Sequence, residues 1–134
     1  MKSVLLIGHN AVKETQLLLD VLKLELESIA KEGMEKFYVG NENQWDKLCL
    51  RLLAELKIIY PQIHIFPKDK LNLNECEMCI YCFPRMTGKS AYTIQKVCNN
   101  GVRCVNIYQV SRTIRILLNN EKKKQQPIVA VTKF

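Results

Sequence analysis

Short apolar runs alternate along the chain with longer segments in which apolar residues recur every three to four positions. The runs predict buried strands, and the longer segments predict amphipathic helices. Strands are predicted at 3–8, 36–40, 63–66, 77–83, 102–108 and, as a possible sixth, 128–132. Helices are predicted at 14–32, 44–60, 90–99 and 111–120, the last with Ser111 as its N-cap. This order predicts a single Rossmann-like α/β domain over residues 1–134, with a mostly parallel sheet of five to six strands and helices on both faces.

The length and the hydropathy pattern place limits on the class of protein. A chain of 134 residues is enough for one compact domain. Its apolar runs are far shorter than the ~20 residues that span a bilayer, and its first residues do not resemble a secretory leader. We therefore expect a cytoplasmic protein that does not enter a membrane. In that compartment the six cysteines should be mostly reduced and packed as small apolar side chains.

Charge is distributed unevenly between the two halves. Residues 1–84 contain ten Lys and Arg against twelve Asp and Glu, a net charge of −2. Residues 85–134 contain ten Lys and Arg against Glu121 alone, a net charge of +9. A basic half of this kind favours an anionic partner, which leaves open a phosphate-bearing small molecule, a nucleic acid, an acidic protein or simply a solvated basic surface.

Three loops are predicted to meet at one edge of the sheet, because ligands of open parallel sheets bind outside the carboxyl ends of the strands. Each loop supplies small or polar residues ahead of a helix N-terminus, which suits an anion. Phosphate is the expected occupant of the third loop, and a sugar or base edge is expected at the other two. The candidate ligand-binding residues are Gly8, His9 and Asn10 in the first loop, Gly40, Asn41 and Asp46 in the second, and Arg85, Thr87, Gly88, Lys89 and Ser90 in the third.

Single loops of this composition are also explained by turns and helix caps alone. Three of them on one edge favour a site. For His9, ligand contact is a better interpretation than catalysis, since the sequence shows no partner for a general base. Trp45 lies on the apolar stripe of its helix, so we expect it to pack in the core rather than to stack on a base.

Two short motifs resemble known sites but do not fit them. The segment 87–90 ends like a phosphate-binding P-loop, but that motif requires a glycine where this chain has Phe83. Cys76, Cys79 and Cys82 have a spacing known from iron–sulfur sites. If 77–83 is a strand, its side chains alternate in direction, and Cys79 faces away from the other two. No metal site and no cofactor are therefore predicted.

The loops resemble those of the SLOG superfamily of small Rossmann-like domains. The likeness rests on Gly8-His9, on residues 37–41 with Asp46, and on residues 53–57 leading to Tyr60-Pro61, and it extends to about Tyr108. Gly88, Ala91 and Tyr92 are similar to a helix start found in short bacterial and phage members. The resemblance implies binding of a nucleotide or an ADP-ribose-like signalling molecule, in phage members plausibly as a sponge for immune nucleotide signals.

The enzymatic branch of that superfamily has a PGGxGTxxE motif with a catalytic glutamate. This chain keeps Pro84 and Gly88 of the motif and has Tyr92 in place of the glutamate, which favours binding without catalysis. An N-glycosidic hydrolase or transferase using Asp46 or His9 is the alternative, and a nucleic-acid binder using the basic half is a further one. The connection at 67–76 is shorter than the resemblance to SLOG members implies, so we expect part of the pocket wall to be missing or to come from another subunit. Because a domain with a reduced connection has a shallow pocket of its own, we expect a homo-oligomer.

Overall fold

The computed structural model describes the backbone of residues 3–8, 15–84, 88–99 and 101–132, and the side chains of these residues apart from 90 and 123–132. The strands are β1 (Ser3–Gly8), β2 (Lys36–Val39), β3 (His64–Pro67), β4 (Met78–Cys82) and β5 (Arg103–Asn106). The helices are α1 (Gln16–Lys31), α2 (Gln44–Ile59), α3 (Gly88–Asn99) and α4 (Ile107–Thr132). Two short 3-10 turns, Lys68–Lys70 and Leu73–Glu75, connect β3 to β4.

The five strands form one sheet in the order β3-β2-β1-β4-β5, and every neighbouring pair is parallel. The carboxyl ends of all five therefore lie at one edge. The direction of winding reverses between β1 and β4, where Gly8 is the register partner of Cys82. Such a reversal opens a crevice at the carboxyl edge of an α/β sheet. The predicted Rossmann-like α/β fold is confirmed, with five strands.

Helices cover both faces of the sheet, as predicted. On one face α1, α2 and α4 pack over a core that includes the fully buried Leu22, Trp45 and Ile107. On the other face α3 packs through Ile94 and Val97 in a smaller cluster. The first face thus contains most of the buried apolar surface that stabilises the fold. Among the described residues, this second face is covered by α3 and otherwise only by the short connection between β3 and β4.

The starts and ends of α1 and α2 follow from local chemistry. The Thr15 side chain accepts a hydrogen bond from the Leu18 N–H and caps α1, and Asn43 caps α2 in the same way. Gly33, with φ +98°, follows the end of α1 in the left-handed region that favours glycine. Pro61 comes two residues after the last residue of α2, where a proline cannot continue the helix.

The last part of the chain differs from the prediction. Helix α4 begins at Ile107, so Ser111 lies one turn inside it, buried, and its hydroxyl has no partner among the described residues. The cap is Asn106, whose side-chain oxygen accepts from the Tyr108 N–H at 3.1 Å. The possible sixth strand at 128–132 was also wrong, because the helix continues to Thr132. A short apolar run such as 128–131 fits a strand or a helix equally, and the helix-forming residues before it favour the helix.

No described helix combines the length and the apolar character needed to cross a membrane.

The cysteines follow the prediction in part. Cys49, Cys76, Cys79 and Cys82 are free and buried. Cys98 and Cys104 form a disulfide, which the expectation of reduced thiols did not include. The last turn of α3 and the start of β5 bring their Cα atoms to 6.3 Å, within the range that a disulfide spans.

The relative directions of Cys76, Cys79 and Cys82 also need a correction. Cys79 and Cys82 face opposite sides of the sheet, as the strand period requires. Cys76 lies on the same side as Cys79, not with Cys82, because β4 begins at Met78 and the alternation does not extend back to Cys76. In the described ranges no three His, Cys, Asp or Glu side chains are grouped as metal ligands.

Candidate ligand-binding site

A cleft of about 560 Å³ opens at the carboxyl ends of β2 and β3. One wall is the loop after β2, with Gly40, Asn41 and Glu42. The opposite wall is the 3-10 turn Lys68–Lys70 that follows β3. Apolar side chains form the rest of the lining, including Leu50 of α2. The volume lies within the ~300–1,000 Å³ typical of small-molecule sites, and an apolar lining with a few polar groups at the rim is the usual composition.

A second, smaller cavity of about 230 Å³ lies on the other face of the sheet. Leu5 and Ile7 of β1 line it from the sheet, and Lys89 and Thr93 line it from the first turns of α3. The remaining walls come from the β3–β4 connection, which includes the partly buried Leu73. This cavity is therefore lined by Lys89, one of the residues of the third loop that were predicted to bind phosphate.

The two cavities share Lys68 and Asp69. These residues follow β3 directly, so the chain turns over the edge of the sheet between the two spaces. Lys68 is partly buried and Asp69 is exposed. Counting Lys70, Lys89 and Glu42, three lysines and two acidic residues line the two spaces near this turn. The local charge balance of +1 favours an anionic ligand whose charge lies near the shared turn.

The loop after β2 is fixed by a capping box at the start of α2. The Asn43 side-chain oxygen accepts from the Asp46 N–H at 2.9 Å, and the Asp46 carboxylate accepts from the N–H groups of Glu42 and Asn43 at 3.1 and 3.3 Å. The Asn43 amide also donates to the Gly8 carbonyl oxygen at 3.2 Å, which ties this loop to the end of β1. Asp46 is only 3% exposed. Its carboxylate holds the loop that forms a cleft wall.

Two of the candidate glycines are explained by packing against the protein itself. A Cβ at Gly8 would overlap the indole ring of Trp45, and a Cβ at Gly40 would lie 2.6 Å from an Asp46 carboxylate oxygen. Trp45 is fully buried, as predicted. Gly88, at the start of α3, has φ +85° and open space around it. Its requirement for glycine is therefore conformational.

The structure brings those candidate residues that it describes to the same edge but not to one surface. Gly40 and Asn41 line the larger cleft, and Lys89 lines the smaller cavity. Gly8 and Asp46 are buried and line neither space. Ser90 lies in α3, and its side chain is outside the described part of the chain. His9, Asn10, Arg85 and Thr87 lie outside the described residues.

The charged residues that follow β3 were not among the predicted site residues. The prediction treated residues 67–76 as a shortened connection that leaves a gap in the pocket. In the structure, Lys68, Asp69 and Lys70 from this segment form a wall of the larger cleft. The signal was present, since three charged residues directly follow the carboxyl end of a parallel strand and must reach the same edge as the other loops.

Asn106 was also missed. It lies at the end of β5, and its amide donates to the Phe83 carbonyl oxygen at 3.1 Å and accepts from the Phe83 N–H at 3.3 Å. These bonds fix the point where β4 leaves the sheet toward α3.

Comparisons of the chain with family models, with curated proteins and with solved structures gave no match.

Proposed function

We propose that this protein binds a phosphorylated nucleotide or nucleotide derivative at the carboxyl edge of its sheet and releases it unchanged. The observation that carries the proposal is the cleft of about 560 Å³ between the loop after β2 and the turn after β3. A cleft of this size accepts a nucleoside. It lies at the carboxyl edge of the sheet, where ligands of parallel α/β sheets bind, beside β2 and β3 and next to the reversal between β1 and β4.

The lining of the cleft supports a nucleoside in particular. Ile65 and Leu50, which lie on the α2 side of the sheet, offer apolar surface for a base, while Asn41 and Glu42 offer an amide and a carboxylate for ribose or base edges. A neutral, flat, polar-edged group matches this combination of apolar walls and polar rim.

The lysines support a phosphate. Lys68 and Lys70 stand at the rim of the cleft, and Lys89 stands across the shared turn in the first turn of α3. Charge-assisted hydrogen bonds from ammonium groups to phosphate oxygens are stronger than neutral ones, and the helix N-terminus adds a favourable dipole. The resemblance to the SLOG superfamily supports the same ligand class.

The position of Asp46 supports binding over hydrolysis. The N-glycosidic alternative needs a carboxylate or imidazole that reaches the substrate. Asp46 is buried, and its carboxylate accepts from two backbone N–H groups of its own loop. No carboxylate other than Glu42 and Asp69 lines the larger cleft in the described part of the chain.

The experiment is calorimetric titration of the purified protein with nucleoside mono- and diphosphates of adenine, guanine, uracil and cytosine, followed by chromatography of the recovered ligand. We expect at least one nucleotide to bind and to be recovered intact. Lys68→Ala should weaken that binding by about tenfold or more, the effect of losing one charge-assisted hydrogen bond.

Lys57→Ala is the matched control, because Lys57 is an exposed lysine in the last turn of α2, at the opposite end of the sheet. It should leave the affinity unchanged. Absence of binding for every nucleotide, or equal losses in the two variants, would show that the cleft is not a nucleotide site. Release of free base would favour the hydrolase instead.

A further inference from the structure

We infer that the second half of α4 is an interface with a second copy of this chain, and that the two α4 helices pack against each other in opposite directions. This inference concerns a different part of the molecule from the ligand-binding cleft and does not depend on the proposed function. It assigns a partner to the exposed apolar residues of α4.

Helix α4 is longer than the domain that supports it. Its 26 residues correspond to a length of ~39 Å, whereas the 16 residues of α1 correspond to ~24 Å. Both helices follow strands of a parallel sheet, so both start near its carboxyl edge and run toward the opposite edge. In its first two turns α4 packs on the domain through the buried Ile107 and the partly buried Ile114. Every residue from 115 to 122 is exposed, so the second half of α4 extends past the packed part of the domain.

This extended half needs a packing partner. Leu117 and Leu118 are 59% and 54% exposed, although both are large apolar side chains. Helices in proteins owe most of their stability to the packing of an apolar face, and short helices without such packing are marginal in water. Pro127 lies inside the extended half and removes one backbone hydrogen bond from it. Helical structure up to Thr132 therefore requires contact with another surface.

A seven-residue repeat runs along the whole of α4. Its first positions are Ile107, Ile114, Glu121 and Ile128, and its fourth positions are Val110, Leu117, Lys124 and Val131. Apolar residues at alternating spacings of three and four form the contact stripe of a coiled coil. The two charged positions of the repeat are adjacent and lie in the middle of the extended half. A charged or polar pair inside such a stripe fixes the register and the direction of the partner helix.

The order of residues in the repeat is complementary to itself when it is reversed. An antiparallel pair centred between positions 122 and 123 places Leu117 opposite position 128 of the second copy. It also places Glu121 opposite position 124, so that an acidic residue faces a basic one twice. A parallel pair would instead place Glu121 opposite Glu121 and Lys124 opposite Lys124, and like charges that face each other are unfavourable. The charges therefore favour an antiparallel pair with two-fold symmetry, the commonest symmetry of protein dimers.

A second copy fits this stripe better than an anionic surface does. Glu121 is the only acidic residue between positions 85 and 134, and it lies within the stripe. A lipid headgroup or a nucleic-acid phosphate would be attracted to the lysines that follow, but it would be repelled by a carboxylate within the contact. In the antiparallel pair the same carboxylate has a basic residue opposite it.

The position of this interface separates it from the larger cleft. The cleft opens at the carboxyl ends of β2 and β3, whereas the paired part of α4 lies toward the opposite edge of the sheet. Both clefts of the dimer thus stay open, and the second copy completes neither of them.

The first test is sedimentation equilibrium of the purified full chain over a range of concentrations, with the variant Leu117→Asp. We expect the wild type to form a dimer, and the variant to dimerise at least ~100-fold more weakly because it places an unpaired charge in the contact. Ile116→Asp is the matched control, since Ile116 is a neighbouring, 50% exposed apolar residue of α4 that lies outside the repeat. It should change the dissociation constant by less than about threefold.

The second test reverses the charges. Glu121→Lys and Lys124→Glu should each weaken the dimer by about tenfold, because each variant places like charges opposite one another. The double variant Glu121→Lys/Lys124→Glu should return to the wild-type dissociation constant. A double variant as weak as the single ones would overturn the antiparallel register.

Two other outcomes would overturn the interface itself. One is a wild type that stays monomeric at every concentration, and the other is an equal loss of dimer in the variants at positions 116 and 117. Sedimentation with vesicles of phosphatidylcholine and phosphatidylserine distinguishes the remaining occupant. A monomer that binds these vesicles, and loses that binding in Leu117→Asp, would assign the extended half of α4 to a lipid surface and not to a second copy.

Discussion

The Cα of Gly8 lies directly against the indole ring of Trp45, so closely that a Cβ at this position would overlap the ring. Gly8 is the last residue of β1, and Trp45 is in the first turn of α2. This contact sets how near α2 approaches the carboxyl end of β1. The same helix start carries Asp46, which fixes the loop at the larger cleft, so the packing at Gly8 and the shape of the site depend on one another.

Gly8→Ala should destabilise the protein by about 2–3 kcal/mol, because an extra methyl group in a close-packed site forces neighbouring atoms to move. Trp45→Leu removes the ring that the methyl group would meet. In the double variant the loss should be smaller than the sum of the two single losses, which urea unfolding of all four proteins would measure. Gly33→Ala is the control, because Gly33 has open space around it and should show no coupling to Trp45.

Asp46→Ala should lower the free energy of unfolding by about 1–2 kcal/mol, because the N–H groups of Glu42 and Asn43 lose their acceptor at the start of α2. Asp46→Asn keeps an acceptor oxygen and should cost less. If the role of Asp46 is structural, Asp46→Asn will retain the wild-type nucleotide affinity in calorimetry. A large loss of affinity in a folded Asp46→Asn variant would instead show that the carboxylate contacts the ligand.

The buried thiols should make the protein sensitive to alkali. Burial raises the pKa of Cys79, with a smaller effect of neighbouring Cys76, and it raises the pKa of Cys82 against an opposing backbone hydrogen bond from Tyr108, each to about 12. The unfolded chain loses these protons near pH ~9 while the folded chain keeps them. Stability should therefore be unaffected by these thiols below pH ~9 and should fall as the pH rises toward ~12.

Urea unfolding between pH ~8 and ~10.5 measures how steeply the free energy of unfolding falls with pH. Each thiol contributes up to ~1.4 kcal/mol per pH unit to this slope. Cys82→Ala should make the slope shallower by up to that amount. The double variant Cys98→Ala/Cys104→Ala should leave the slope as it is, because disulfide-bonded cysteines do not titrate. An unchanged slope in Cys82→Ala would mean that this thiol is not protected in the folded protein.

Local patterns predicted the parts of the fold that local chemistry determines. The strand and helix alternation gave the α/β class, and the apolar stripe of α2 placed Trp45 in the core, since both depend on periodicity within one segment. The start of α4 was missed because Asn106 and Ser111 are both good caps, and only the end of β5 decides which of them is used. The side of the sheet on which Cys76 lies, which is the same as that of Cys79, likewise depends on where β4 begins.

The candidate site was predicted at the correct edge with an incomplete set of walls. Residue type alone identified Gly40, Asn41 and Lys89, all of which line one of the two cavities. Residue types could not show that Gly40 lies against the Asp46 carboxylate rather than open space, because that contact depends on how α2 packs against the sheet. Nor could they show that the turn at Lys68 separates two cavities, since this requires the position of β3 beside β2.

The Asn106 side chain should contribute about 2 kcal/mol to the free energy of unfolding, because it forms hydrogen bonds with three backbone groups. These groups are the N–H and the carbonyl oxygen of Phe83 and the N–H of Tyr108. Asn106→Ala leaves all three without this partner. Asn106→Asp keeps the two accepted bonds and remains a good helix cap, so it should lose less than the alanine variant. Urea unfolding at neutral pH separates the cases: equal losses would assign the effect to the bond donated to Phe83, and an unaltered Asn106→Ala would show that the exit of β4 is held by other contacts.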